Sequence, residues 1–124
     1  MEMTQPSPFN LAELCERCLG DCDFAKELLS VFESQVPDRL TRLRAAMDGS
    51  MFGHAAGEAH ALKGSAGNLA AKDMQTAMAA LERALRDNEI EHALALLAPA
   101  LATAEIALDA VPDVVRQLTA RKAA

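Results

Sequence analysis

The stretch HALKGSAGNL, residues 60–69, sets a histidine and a lysine three positions apart among glycines and alanines. Histidine offers a nucleophilic ring nitrogen near neutral pH, and lysine a mobile cation. Residues three apart on a helix lie on one side, about a turn from each other. Nucleophile and cation so placed suit transfer of an anion onto the imidazole, a phosphoryl group being the obvious candidate. His60 is then the candidate acceptor, and Lys63 the candidate stabiliser of the transferred group.

A helix must position them. Ala55, Ala59, Leu62, Ala66 and Leu69 alternate spacings of four and three, the buried seam of a bundle helix. At about 100° per residue, His60 falls about 160° from Leu62 and points to solvent. Around it on that outer side fall Gly53, Ala56, Gly57, Lys63, Gly64 and Gly67. Each glycine in a helix interior costs roughly 1 kcal/mol against alanine, so stability does not account for them. Close approach of a second body to the backbone does. Ala56, Gly57, Gly64 and Gly67 are therefore the candidate partner-docking collar.

The rest of the chain reads as helices too. Residues 1–9 read as a flexible N-terminal arm and residues 10–121 as one helical domain. Asn10 caps a short first helix whose face is Leu11, Leu14, Cys15, Cys18 and Leu19, and Gly20 ends it. Asp23 is placed to cap a second helix reaching about Met47, with Phe24, Leu28, Phe32, Val36, Leu40, Leu43 and Met47 inward. Pro37 interrupts that pattern without changing its phase, which predicts a kink. The third helix covers about Met51 to Leu69 and the fourth about Asp73 to Asn88. In the fourth, Met74, Ala77, Met78, Leu81 and Leu85 face inward, while Glu82, Arg83, Arg86 and Asp87 face water. The last long helix starts near Ile90, with Leu94, Leu97, Leu101, Ala104 and Leu108 inward, and Pro112 stops or kinks it before a short turn at residues 113–121. The expected fold is all-α: an antiparallel up-down four-helix bundle with a short extra N-terminal helix.

Composition agrees. The 124 residues suit one core, and the only aromatics are 4 Phe, so Ala, Leu, Val and Met must fill it. A net charge of −6 argues against a nucleic-acid footprint. The apolar run from Ala93 to Leu108 contains Pro99 and Glu105 and reads as a core helix, with no membrane partner expected. Residues 1–10 lack the basic start and apolar run of a signal peptide, and the 3 cysteines read as reduced, cytoplasmic thiols.

At this point the residues resemble a known family. AHALKGSAGNLAA, residues 59–71, is similar to the signature of histidine phosphotransfer (HPt) domains, roughly H-x-L-K-G-S-[SA]-x-x-[LIV]-G-A, through His60, Leu62, Lys63, Gly64, Ser65, Ala66, Leu69 and Ala71. The flanking stretches CLGDCDFAKELLSVFESQVPDRLTRL and MAALERALRDNE resemble the family's neighbouring helices. The resemblance implies a non-enzymatic phosphocarrier. By it, His60 takes a phosphoryl group from a receiver-domain aspartate of one response regulator and passes it to another. Lys63 neutralises phosphoryl oxygens, Gly64 leaves room for the receiver, and a hybrid sensor histidine kinase feeds the relay. No cofactor is expected on this chain, Mg²⁺ belonging to the receiver, and the protein is expected to be a monomer. Ala70 stands where the pattern has glycine, which suggests that the helix runs on by a residue or two or that Asn68 assists its exit.

Other groups are weaker candidates. Cys15, Cys18 and Cys22 have metal-like spacing but no fourth ligand nearby, and two of them continue a leucine-rich face. His54 and His92 form no ligand pair with His60, so no metal site is expected. No phosphate-cradling glycine loop, nucleophile elbow or zinc-protease pair occurs, so autokinase activity is not expected. Two alternatives remain beside the relay: a receiver-docking module of the same fold that transfers nothing, and a domain excised from a hybrid sensor kinase. The Met1 start and short tails lean toward a free-standing protein.

Overall fold

The computed structural model describes residues 7–123. Five helices follow one another: α1 (Leu11–Arg17), α2 (Cys22–Asp48), α3 (Phe52–Asn68), α4 (Lys72–Arg86) and α5 (Ile90–Ala123), with no strand among the described residues. α2 packs on α3, α3 on α4, α4 on α5 and α5 back on α2, closing a four-helix ring against which α1 leans through α2. This is the all-α bundle that the patterning predicts.

Local chemistry sets the helix starts. The Asn10 side chain accepts from the Glu13 amide at 3.1 Å and that of Asp21 from the Phe24 amide at 3.0 Å. Asp21, not Asp23, therefore caps α2, because only a residue just outside the helix has the extended backbone that turns its carboxylate onto the free amides.

The exits of α2, α3 and α4 share one device. Ser50, Ala70 and Asn88 take positive φ, and the following amide returns to a carbonyl five residues back, as in Ala71 N–H to Ala66 O at 2.9 Å. Ala70 thus adopts the left-handed backbone itself (φ +56°) and the helix does not run on. Left-handed backbone costs a non-glycine residue roughly 1–2 kcal/mol. Ala70 is wholly buried, and its carbonyl accepts from the Asn10 amide at 3.0 Å, tying the N-terminal segment to the end of α3.

The core face differs from the expected one in places. Phe24 and Leu19 are exposed; Ala25 and Leu29 occupy the first turns of the α2 core instead. In α5 the inward stripe is Ala93, Ala100, Ala104, Ala107, Val111, Val114 and Leu118, leaving Leu97, Leu101 and Leu108 half-buried and Leu94 exposed. Alanines let α5 approach α2 and α4 closely, and the larger leucines flank the seam. α5 is long and apolar enough to cross a bilayer by length and composition; here its alanine-rich stripe lies in the bundle.

Neither Pro37 nor Pro112 ends a helix. Both, like Pro99, stand on the solvent side, where the carbonyls that lose a partner are reached by water. α5 therefore runs past Pro112 and returns to α1 and α2: Arg121 lies against Cys15 Sγ at 3.0 Å, Lys26 reaches Thr119, and Lys122 pairs with Asp23. At the other end, Phe9 is buried and meets the Phe32 ring edge-on with centroids 5.7 Å apart, so the core begins inside the expected arm. Residues 1–6 of that arm lie outside the described residues.

Leu118, fully buried beyond Pro112, tests the continuity of α5. Leu118→Ala should lower unfolding free energy by about 2–4 kcal/mol in urea melts, whereas a detached C-terminal turn would change it little.

Candidate functional site

α3 and α4 run antiparallel, and their pairing sets the site. His60 stands opposite Glu82, and one end further along Gly67 stands opposite Gln75. The His60 side chain is 63 % exposed, while that of Glu82 is only 10 % exposed. His60 Nδ1 lies 3.0 Å from Glu82 Oε2. Lys63 Nζ donates to Glu82 Oε1 at 2.7 Å, and Arg86 Nε donates to Oε2 at 2.8 Å. One carboxylate thus gathers the histidine and two cations.

Burial pushes the pKa of Glu82 up, but the hydrogen bonds from Lys63 and Arg86, with the charges of Lys63 and His60, outweigh it and hold the value at about 2. Glu82 is therefore an anion at neutral pH. An ionised carboxylate only accepts, so Nδ1 must carry the ring proton. In the neutral imidazole that leaves the lone pair on Nε2, which has no hydrogen-bond partner among the described residues. The carboxylate fixes both tautomer and ring orientation.

Glu82 is the functional residue that the solvated-face reading misses. It is 7 % exposed, the one buried charged residue among the described ones. Its position signals this: it lies four residues after Met78 and three before Leu85, on the apolar stripe of α4. Asp87, Glu89 and Glu91 are exposed as expected.

The collar divides. A Cβ at Gly57 or Gly64 would meet nothing within 4 Å, so both leave open space beside His60. Ala56, by contrast, is buried at 3 % and presents no docking surface. α3 packs on both α2 and α4, so its buried arc is wider than one centred on Leu62 alone. Gly67 is half-buried: a Cβ there would lie 2.9 Å from Gln75 Nε2, the end of a flexible α4 side chain that now occupies the space and would have to move aside.

An apolar strip flanks the open side. Phe24 and Val31 of α2 are exposed, and Leu28, Val31 and Gln35 line a groove with Ser65 and Asn68 of α3. Away from this region, His54 lies beside Arg42 and Met51, and His92 beside Glu89 at 3.5 Å; neither joins His60. The described residues hold no cluster of three or more metal-ligating side chains. Cys18 is buried and Cys15 and Cys22 are half-buried, all as free thiols.

The sequence profile of the Hpt domain family matches residues 27–120, most of the chain, which therefore belongs to that family. Its members are phosphocarriers of two-component signalling that work with receiver domains and kinases. Comparison with curated proteins and with solved structures finds no match.

The depressed pKa of Glu82 makes a pH prediction. The carboxylate's stabilising contribution is complete above its ordinary 4.5 and is lost as pH falls through about 2. Glu82→Gln should cost about 1–3 kcal/mol at neutral pH, the range for unpairing a buried charged hydrogen-bond partner. Urea midpoints of the two proteins should then converge as pH drops from 4.5 toward 2.

Proposed function

We propose that this chain is a histidine-bearing intermediate of a phosphorelay, with Nε2 of His60 as the atom that carries the phosphoryl group. The observation that supports this most directly is the Glu82 carboxylate at Nδ1, 3.0 Å away, which leaves an exposed Nε2 lone pair. Nε2 attacks the phosphorus of a receiver's aspartyl phosphate. The P–N bond forms as the P–O bond breaks, and the electron pair leaves with the aspartate carboxylate. The Nδ1 proton stays on the ring, and Glu82 offsets the positive charge that the imidazole gains. The reverse step delivers the group to a second receiver.

Lys63 is one turn from His60 and supplies positive charge to the phosphoryl oxygens. Mg²⁺ is assigned to the receiver, and no cofactor to this chain. The receiver docks over Gly57 and Gly64 and along the apolar strip of Phe24, Leu28 and Val31, where its aspartate can come close to the α3 backbone. In this reading the protein acts in the cytoplasm as a monomer, downstream of a hybrid sensor histidine kinase, and has no autokinase activity.

Two experiments test this. Incubation with a phosphorylated receiver should give an acid-labile label on the wild type. His60→Gln should lose the label, and Lys63→Ala should slow transfer about tenfold without unfolding the bundle. Undiminished labelling of His60→Gln rejects the site, and binding without any label identifies a docking module instead.

Gly64 separates folding from docking. Gly64→Gln should raise stability by up to about 1 kcal/mol, since glycine is a poor helix former and the space is open. It should weaken receiver binding in the same preparation, read by titration calorimetry; unchanged affinity would place the receiver elsewhere.

A further inference from the structure

We propose that Arg86 is a positioning residue for the phosphotransfer step: it holds the Glu82 carboxylate so that Lys63 can leave it for the phosphoryl group on His60. The proposal rests on the phosphocarrier reading and adds a division of labour between the two cations.

The geometry points to it. Lys63 occupies Oε1 at 2.7 Å, while Arg86 shares Oε2 with His60 Nδ1. With His60 unphosphorylated, Lys63 is therefore already engaged, bound to a carboxylate rather than waiting at Nε2. A phosphoryl group on Nε2 carries up to two negative charges, and Lys63 stands a turn away on the same helix. Lys63 must then exchange one anion for another.

That exchange is unfavourable if it strips a poorly solvated carboxylate of its only full cation. Arg86 removes the obstacle. It reaches Glu82 from four residues on along α4, a spacing at which side chains of one helix lie within reach of each other. Its guanidinium sits on the oxygen that Lys63 does not use. When Lys63 swings out, Glu82 still has Arg86, and its grip on Nδ1 persists. Lys63, by contrast, comes from α3, the helix that carries His60, and stands one turn from it, so it is the cation placed to reach a group on that ring. A bare surface ion pair at this spacing would matter only for stability, by about 0.3–0.5 kcal/mol, and would leave the chemistry untouched.

The test uses phosphoramidate as donor, which needs no partner protein, and follows the P–N signal of His60 by phosphorus NMR. Labelling rate and hydrolytic half-life of the phosphoform are compared for the wild type, Lys63→Ala, Arg86→Gln, Arg86→Lys and the double variant Lys63→Ala/Arg86→Gln. Arg86→Gln should slow labelling about threefold to tenfold, the scale of one ordinary net hydrogen bond, and Arg86→Lys should restore most of it. The decisive reading is the double variant: with Lys63 pinned on Glu82, removing Lys63 should cost far less in the Arg86→Gln background than in the wild type. Wild-type rates and half-life for Arg86→Gln, or independent multiplication of the two effects, would overturn the proposal while leaving His60 as the carrier. Failure of the wild type to label at His60 would instead remove the phosphocarrier reading, and this proposal with it.

Discussion

A carboxylate that water barely reaches is the constraint on which the site depends. Glu82 is 7 % exposed and ionised, so it must be surrounded by donors or the bundle loses stability. Three supply them: His60 and Lys63 from α3, and Arg86 from α4 itself. The same contacts that make the charge tolerable also fix the histidine's tautomer and store a cation beside it. Folding and chemistry draw on one set of hydrogen bonds, so neither can be altered without the other responding.

The remainder of the fold serves that alignment. Antiparallel packing of α3 and α4 brings residue 60 to residue 82, and the tight α3–α4 turn sets the register. Ala70 is held there in a left-handed backbone at some energetic cost, and its carbonyl receives the Asn10 amide. Shifting that turn by one residue would rotate α4 by about 100° and carry Glu82 away from His60. The strained alanine thus stands where the register is decided, buried and hydrogen-bonded on both sides.

Much of this is legible in the sequence. Helical periodicity fixes four long helices and their inner faces wherever leucine, methionine or phenylalanine mark them, as in α4 and the middle of α2. It is less decisive in α5, where alanine is common on every side and the seam is set by how closely helices approach; there the leucines lie beside the core. The prolines do not mark helix ends: Pro37, Pro99 and Pro112 stand on solvent-facing turns, where a carbonyl without its amide partner is open to solvent. His60 and Lys63 stand out because a helix chosen for its own stability would not set a histidine amid glycines on its outer face.

Glu82 is harder to read because its type and its position disagree. A charged residue suggests the surface, yet its spacing from Met78 and Leu85 suggests the core. Such disagreements are where function tends to sit, since a sequence shaped for stability alone would resolve them. The glycines of α3 show the same logic from the other direction: Gly57 and Gly64 leave empty space that a helix former would fill at a gain, whereas the space at Gly67 is occupied by the Gln75 side chain. The three are alike in sequence and differ only in what α4 places opposite them. What distinguishes a docking glycine from a packing one is the neighbouring helix, which no single-helix pattern contains.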